Sequence, residues 1–560
     1  MGKNRQNINY KDKKKLRDQK RQIYDKRASA ILEVAAPMFF IGLAAVYPLF
    51  VWKSKYGNIT YDKTLFLWIF TALFAGVFLL VSVFRKCLNI KTEPATGKPP
   101  LGLSVSQWGL IAFLAFALFS ALTVSRLPWG EEAKEVVWFG YPGRYEGFIS
   151  FLCYGAVFFM IAKFYKPKRW HLLIVAASAI LLSLYGILQF TGNDIFELFP
   201  FEQFPAYGPL SAHFLATMGN INIVSAYCTF SVILFAALFA VSETFFGWDI
   251  LYLAASSVSF VLMLIARGDA SYVAVAVSTA VLIPYWISDR KRLGKILIVL
   301  AGWCMAYLWF NSYVSGQRQL FKLDPSAYPW LDQVFLRGFE VFNPAELIVG
   351  AEVLLLAGLF FVLVIKSWPK RAMKIAGIVF LPAALIAGFV FLEISAERLA
   401  QNPGNILWQL REVLHGRLED DFGSSRGWVW KRGFSVVFDR PVFGAGPDAF
   451  YYALGELQYD ALLLYSIYFD KAHNMFLQIA VCLGIPAFIS YLAFLGGLFG
   501  SAIKKAFERP LLLAFGAAAL SYTVQSFFCV EVPLTTPLLW VCLGVMARET
   551  VESGKLKVES

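Results

Sequence analysis

The chain has 560 residues, 58% hydrophobic and only 16% charged, with 53 Phe and 16 Trp. This balance excludes a soluble globular protein of such length and points to a polytopic membrane protein. Net charge is +13, and +8 of it sits in residues 1–27, where eleven Lys and Arg stand against Asp12, Asp18 and Asp25. Beside an apolar helix, a basic tail fixes topology and touches anionic head groups; nucleic acid is not the expected partner. The tail lacks a short apolar core with a small-residue cleavage site, so the first helix is expected to stay in the membrane. The seven cysteines form no C-x-x-C pair and sit mostly inside apolar runs, as small packing residues do.

A helix needs about 20 apolar residues to cross a bilayer. Such runs occupy 30–52, 64–84, 106–127, 146–164, 169–190, 219–241, 250–266, 270–287, 294–310, 344–365, 373–392, 472–500, 510–528 and 533–547. The predicted fold is an all-α bundle of fourteen transmembrane helices, the last short enough to be a half-membrane element. Its divisions are a basic tail (1–29), helices one to eleven (30–392), a large outer loop (393–471), helices twelve to fourteen (472–547) and a tail (548–560). The loops 85–98, 166–169, 289–295, 366–371 and 504–509 are basic, whereas 191–212 carries Asp194, Glu197 and Glu202 with no Lys or Arg. By the positive-inside rule both termini are cytoplasmic. Only 242–249 among the inner loops lacks a basic residue.

Four outer segments are long: 128–145, 191–218, 311–343 and 393–471. The last is rich in Trp, Phe, Tyr and Leu, which argues for order and for function. It reads as helix over 405–418 and 426–438, the second capped by Ser424 and Ser425 and stopped by Pro441. Trp428, Trp430, Phe434 and Phe438 are expected against the bilayer interface or the bundle.

The residues suited to chemistry lie at the outer ends of helices. His473, one of four histidines, opens the twelfth; beside Arg or Lys its imidazole is neutral and able to accept a proton. On spacing alone a lone His at a helix mouth is more often an interfacial hydrogen-bonding residue than a catalyst. Arg426 begins an amphipathic run with Lys431 and Arg432, either as a solvated charge or as an anion contact. Arg267 ends the seventh helix, where an arginine must snorkel, pair or bind an anion, and Asp269 offers a pair. Gly444-Ala445-Gly446-Pro447-Asp448 reads as a helix start with Pro at the first position, and it lacks the strand and third glycine of a nucleotide fingerprint. The outer segments contain no H-E-x-x-H, paired Cys or D-x-D, so no metal or other cofactor is expected, and Asp420-Asp421 reads as a solvated acidic turn.

The order R-x(3)-W, P-x(2)-G-x-G and A-H-N, from Arg426 through Gly444 to Asn474, resembles the O-antigen ligase and O-antigen polymerase family of bacterial membrane glycosyltransferases, which includes protein O-oligosaccharyltransferases. Gly143-Arg144-Tyr145-Glu146-Gly147 and Met218-Gly219-Asn220-Ile221-Asn222 resemble further family elements, as does the ending from Gln525 to Gly544. The resemblance implies an enzyme in the bacterial cytoplasmic membrane. It would transfer a glycan from polyprenyl pyrophosphate to the hydroxyl of an acceptor lipid, glycan or protein on the extracytoplasmic face, without metal and with inversion. It implies His473 as general base, and Arg267 and Arg426, with Arg144 as a third contact, on the diphosphate. Asn474, Gly444, Gly446 and Asn220 would support them. The rival reading is a transporter or flippase for lipid-linked saccharides, which many helices and few charges fit as well; a third is a non-catalytic assembly partner.

Overall fold

The computed structural model describes residues 2–53, 55–88, 104–124, 131–191, 193–198, 216–242, 247–323, 368–400 and 406–551, with scattered positions between 351 and 364. The described residues are helical, with no strand among them, as an all-α polytopic protein requires. Nine helices among them are long and apolar enough to cross a membrane, and Phe148–Phe164 and Ile250–Ala266 are shorter apolar helices. The run at 344–365 lies mainly outside the described residues.

The helix Ile221–Val241 forms the centre, its apolar window wholly buried under Ile250–Ala266, Asp269–Ile287, Arg290–Leu323 and Pro510–Ser526. A helix that is apolar all round belongs inside a bundle. Small residues set the close crossings, as they do where lipid supplies no hydrophobic drive. A Cβ on Gly109 would lie 2.7 Å from the Phe494 nitrogen, and one on Gly544 2.8 Å from Ile161.

Three elements depart from the sequence pattern. Helix nine continues from Arg290 to Leu323, past the apolar run, because 311–323 is polar yet holds no proline. Helix twelve is broken at Gly484 (φ 88°, ψ 169°) into Met475–Leu483 and Ile485–Lys505. The carbonyls freed there are taken up inside the protein: Ala445 N–H donates to Val481 O at 2.9 Å, Gly446 N–H to Cys482 O at 2.8 Å, and Ser120 Oγ to Cys482 O at 3.0 Å. Irregular backbone at membrane depth is tolerated only with such partners. The helix expected from Pro447 starts at Phe450 instead, since the glycine segment is spent on that docking.

The bundle has two chemically distinct ends. At one, Arg85 meets Asp25 at 3.0 Å, Arg169 meets Asp249 at 2.9 Å, Lys295 Nζ donates to Ser242 O at 2.6 Å and Arg548 to Lys163 O at 3.1 Å. Arg169 and Lys295 thus reach Asp249 and Ser242, the two ends of a 242–249 stretch that has no cation of its own. The other end carries the 140–147 turn, the 406–474 segment and the 527–535 turn.

Candidate functional site

Three loops converge at that second end. In the first, Tyr145 adopts a left-handed φ of 54°, which turns the backbone so that Tyr141 N–H and Glu146 N–H both donate to Asp448 Oδ2, at 2.8 and 2.9 Å. Asp448, itself at φ 60°, comes from the second loop. From the third comes Lys471, 1% exposed, whose Nζ lies 2.7 Å from Glu146 Oε2 and 2.6 Å from Asp448 Oδ1. Tyr154 donates to Glu146 Oε1 at 3.2 Å. Burial opposes charge on Lys471, but Asp448 and then Glu146 outweigh it and hold its pKa above the ordinary lysine value. This buried knot ties Asp448 and Lys471 to Glu146, which lies more than 300 positions before either.

His473 stands two residues beyond the knot, ahead of the helix, with φ 50° and its ring edge-on to Phe469 at 6.4 Å. Its Nδ1 is enclosed and has no protein hydrogen-bond partner. Burial, and then the Arg426 charge, lower its pKa to about 4; Arg144 and Lys471 add to this and Asp470 opposes it. The imidazole is therefore neutral at physiological pH, with desolvation a larger cause than the cations that the sequence suggested.

Arg426 opens its helix after three left-handed residues, Gly423, Ser424 and Ser425, so a left-handed turn stands where a serine cap was expected. Its Nη1 donates to Gly423 O, and its Nε is buried with no protein partner. Arg267 is the left-handed C-cap of Ile250–Ala266 (φ 55°, ψ 29°). Only glycine fits next, because a Cβ on Gly268 would meet Ser225 Oγ at 2.3 Å. Asp269 lies in the electrostatic field of both Arg426 and Arg267. Arg267 and Arg426 are thus linked through Asp269, and Arg426 and Arg144 both act on the neutral ring of His473. Arg144 is already engaged, its Nε 2.8 Å and Nη2 3.2 Å from the Asp470 carboxylate.

The remaining cations of the basic run are diverted. Lys431 and Arg432 both bind Asp420, at 2.7 and 2.8 Å, so Asp420 accepts two ion pairs within a solvent-exposed acidic turn. Arg432 also lies 4.8 Å over the Trp428 ring. The four aromatic residues divide: Trp428 is buried and stacked on Phe469 at 5.5 Å, and Trp430 donates to Ala472 O at 3.1 Å. Phe434 and Phe438 are 62% and 61% exposed, as membrane-facing rings would be.

Each of the four supporting residues has a structural place. Asn474 caps Met475–Leu483 by accepting from Phe476 and Leu477 N–H at 2.9 and 3.0 Å, and Asn220 caps Ile221–Val241 by accepting from Asn222 N–H at 2.9 Å. Gly444 and Gly446 have φ 65° and 106°, and a Cβ on Gly444 would sit 2.4 Å from the Cys482 carbonyl. Sequence reasoning overlooked Lys471, Asp470 and Glu531 and gave Glu146 no role. Only the K-A-H spacing hinted at the first, since its partners are remote in the chain.

No curated protein matches the chain. A family model described as O-antigen ligase matches residues 349–492, a stretch that holds Arg426, Gly444, Gly446, Asp448, Lys471, His473 and Asn474 and leaves Arg144, Arg267 and Glu531 outside. Residues 349–492 of this helical membrane protein are therefore similar to the O-antigen ligase family, the family that the sequence resembles.

Proposed function

We propose that the chain transfers a glycan from a polyprenyl diphosphate carrier to an acceptor hydroxyl on the extracytoplasmic face of the bacterial cytoplasmic membrane. The observation that carries this reading is a neutral imidazole within the field of Arg426, whose buried Nε has no protein partner, inside the family-matched segment. His473 takes the acceptor proton, a role worth roughly 10²–10⁴-fold in rate. Arg426 and Arg267 grip the diphosphate, whose oxygens suit planar guanidinium forks, and stabilise the charge that grows as the glycosidic bond breaks. Arg144, shared with Asp470, is a third contact. A diphosphate leaves readily, so the chemistry calls for neither nucleotide nor metal, and direct displacement inverts the anomeric carbon.

A lipid carrier also suits the surroundings of Arg267. A groove of about 300 Å³ lined by Phe260, Met263, Tyr272, Val275, Ile283 and Trp303 runs along the helix that follows it. Ligase and polymerase need the same donor chemistry, so the acceptor stays general: a lipid, a glycan or a protein. The test is transfer from a lipid-linked oligosaccharide by purified protein. His473→Ala, Arg267→Ala and Arg426→Ala are each expected to lose turnover. Unchanged turnover in all three, or movement of the donor across vesicles with no covalent change, rejects the reading in favour of transport.

A further inference from the structure

Beneath His473 lies a cavity of about 20 Å³ walled by Glu146, Lys471, His473, Gln478, Cys529 and Glu531, among others. A polar cavity needs roughly 10–15 Å³ to hold one water, so this one has room for a single molecule. Two enclosed atoms on its wall have no protein hydrogen-bond partner, His473 Nδ1 and Glu531 Oε1. Glu531 comes from the turn between Pro510–Ser526 and Thr536–Val551. Around it stand Glu146 and Lys471 from the converging loops and the phenols of Tyr154, Tyr491 and Tyr522 from three helices. Ser526 hydrogen-bonds the Glu531 carboxyl, Lys471 is committed to Glu146 and Asp448, and Glu531 Oε1 is left without a partner.

His473 as a base meets a difficulty that this arrangement resolves. Burial and Arg426 hold its pKa near 4, so a proton taken from an alcohol cannot rest on the ring. Glu531 has the opposite bias: burial, and then the Glu146 charge, raise its carboxyl above the ordinary range. A proton passed from imidazolium to the Glu531 carboxylate runs downhill.

We infer that Glu531 receives the acceptor's proton, relayed from His473 Nδ1 through one water in this cavity. The inference rests on His473 being the base of the proposed transfer. The acceptor O–H breaks as Nε2–H forms, and the acceptor oxygen bonds the anomeric carbon while the bond from that carbon to the diphosphate oxygen breaks. Nδ1–H then passes to the water, and a proton of that water passes to Glu531 Oε1. The site resets when Nε2–H is lost to solvent and the Glu531 proton returns through the water to Nδ1. Glu531 touches no substrate, so its influence falls on turnover and leaves donor affinity alone.

Because the active form is the Glu531 carboxylate, turnover of the unaltered enzyme rises as pH climbs through its elevated pKa. The experiment is kcat and KM for purified protein with a lipid-linked donor from about pH 6 to about pH 9. Glu531→Gln is expected to keep the donor KM, lose on the order of 10²-fold in kcat and show no alkaline rise. Glu531→Asp, which keeps the acid on a shorter stem, restores a rise of smaller amplitude. A merely structural Glu531 would change the yield of folded protein and leave the pH profile alone. A flat profile in the unaltered enzyme, or a Glu531→Gln variant with unaltered kcat and profile, overturns the relay. If His473→Ala is inactive in the same assay, only the relay falls; if it is active, the reading of the site itself falls.

Discussion

Arg426 and Lys431 separate a site cation from a surface one, although both lie in the same basic run. Arg426 has a buried Nε without a protein partner, whereas Lys431 is spent on Asp420 at 2.7 Å. Removing a preorganised donor aimed at developing charge costs about 10²–10³-fold in kcat, whereas an exposed ion pair is worth roughly 0–1 kcal/mol. Arg426→Ala is therefore expected to lose two to three decades of transfer activity, on the order of that cost. Lys431→Ala should stay within a few-fold, and equal losses in one assay would refute the distinction. Lys471→Met makes a different prediction. It strands two buried carboxylates, and breaking a buried pair costs about 3–5 kcal/mol, so the variant should melt well below the parent in detergent. None of this was visible locally. The resemblance pointed to His473, Arg426 and Arg267, but Lys471 takes its meaning from Glu146, 325 positions away, and a separation of that size leaves no periodic trace.

At the scale of elements, the decisive piece is the interrupted twelfth helix. The apolar run 472–500 gave its position, and the signal for its break lay in Gly484 followed by Pro486, which stands in the first turn of Ile485–Lys505 and which a reading by hydropathy alone passes over. Gly484 has φ 88° and ψ 169°, a region essentially closed to other residues. A Cβ there would also meet Val442 O at 2.3 Å. The break turns the Val481 and Cys482 carbonyls toward Ala445 and Gly446, and it is this docking that seats Asp448 against Lys471. Gly484→Ala is expected to cost about 1–3 kcal/mol from backbone strain alone and to lose transfer activity as the Asp448 loop shifts. Gly500, with open space around it in the helix that follows, is the control: Gly500→Ala should be neutral or raise stability by a few tenths of a kcal/mol, up to about 1. Thermal unfolding and transfer assays on the pair check this, and a Gly484→Ala protein as stable and active as the control would refute the role of the break.

For the whole molecule, the sequence spoke most clearly through its charges. The basic loops were read as one face from alternation alone, and among the described residues Arg85, Arg169, Lys295 and Arg548 make their bonds at one end, to Asp25, Asp249, Ser242 and Lys163. The arginines around His473 gather at the other end. Lys and Arg retained on the cytoplasmic side orient a membrane protein, so the bundle should sit with its basic end inside and His473 outside. That orientation is also what the proposed transfer requires of the site. The prediction is checked with single cysteines in a background in which exposed Cys87 is replaced by serine. Leu463, 83% exposed in the large loop, and Lys291, exposed at the start of the ninth helix, mark the two ends. In intact spheroplasts, a membrane-impermeant maleimide should modify Leu463→Cys at once and Lys291→Cys only after permeabilisation. The reverse pattern would place the imidazole on the cytoplasmic side, where an extracytoplasmic acceptor cannot reach it, and the proposed transfer would fail with it.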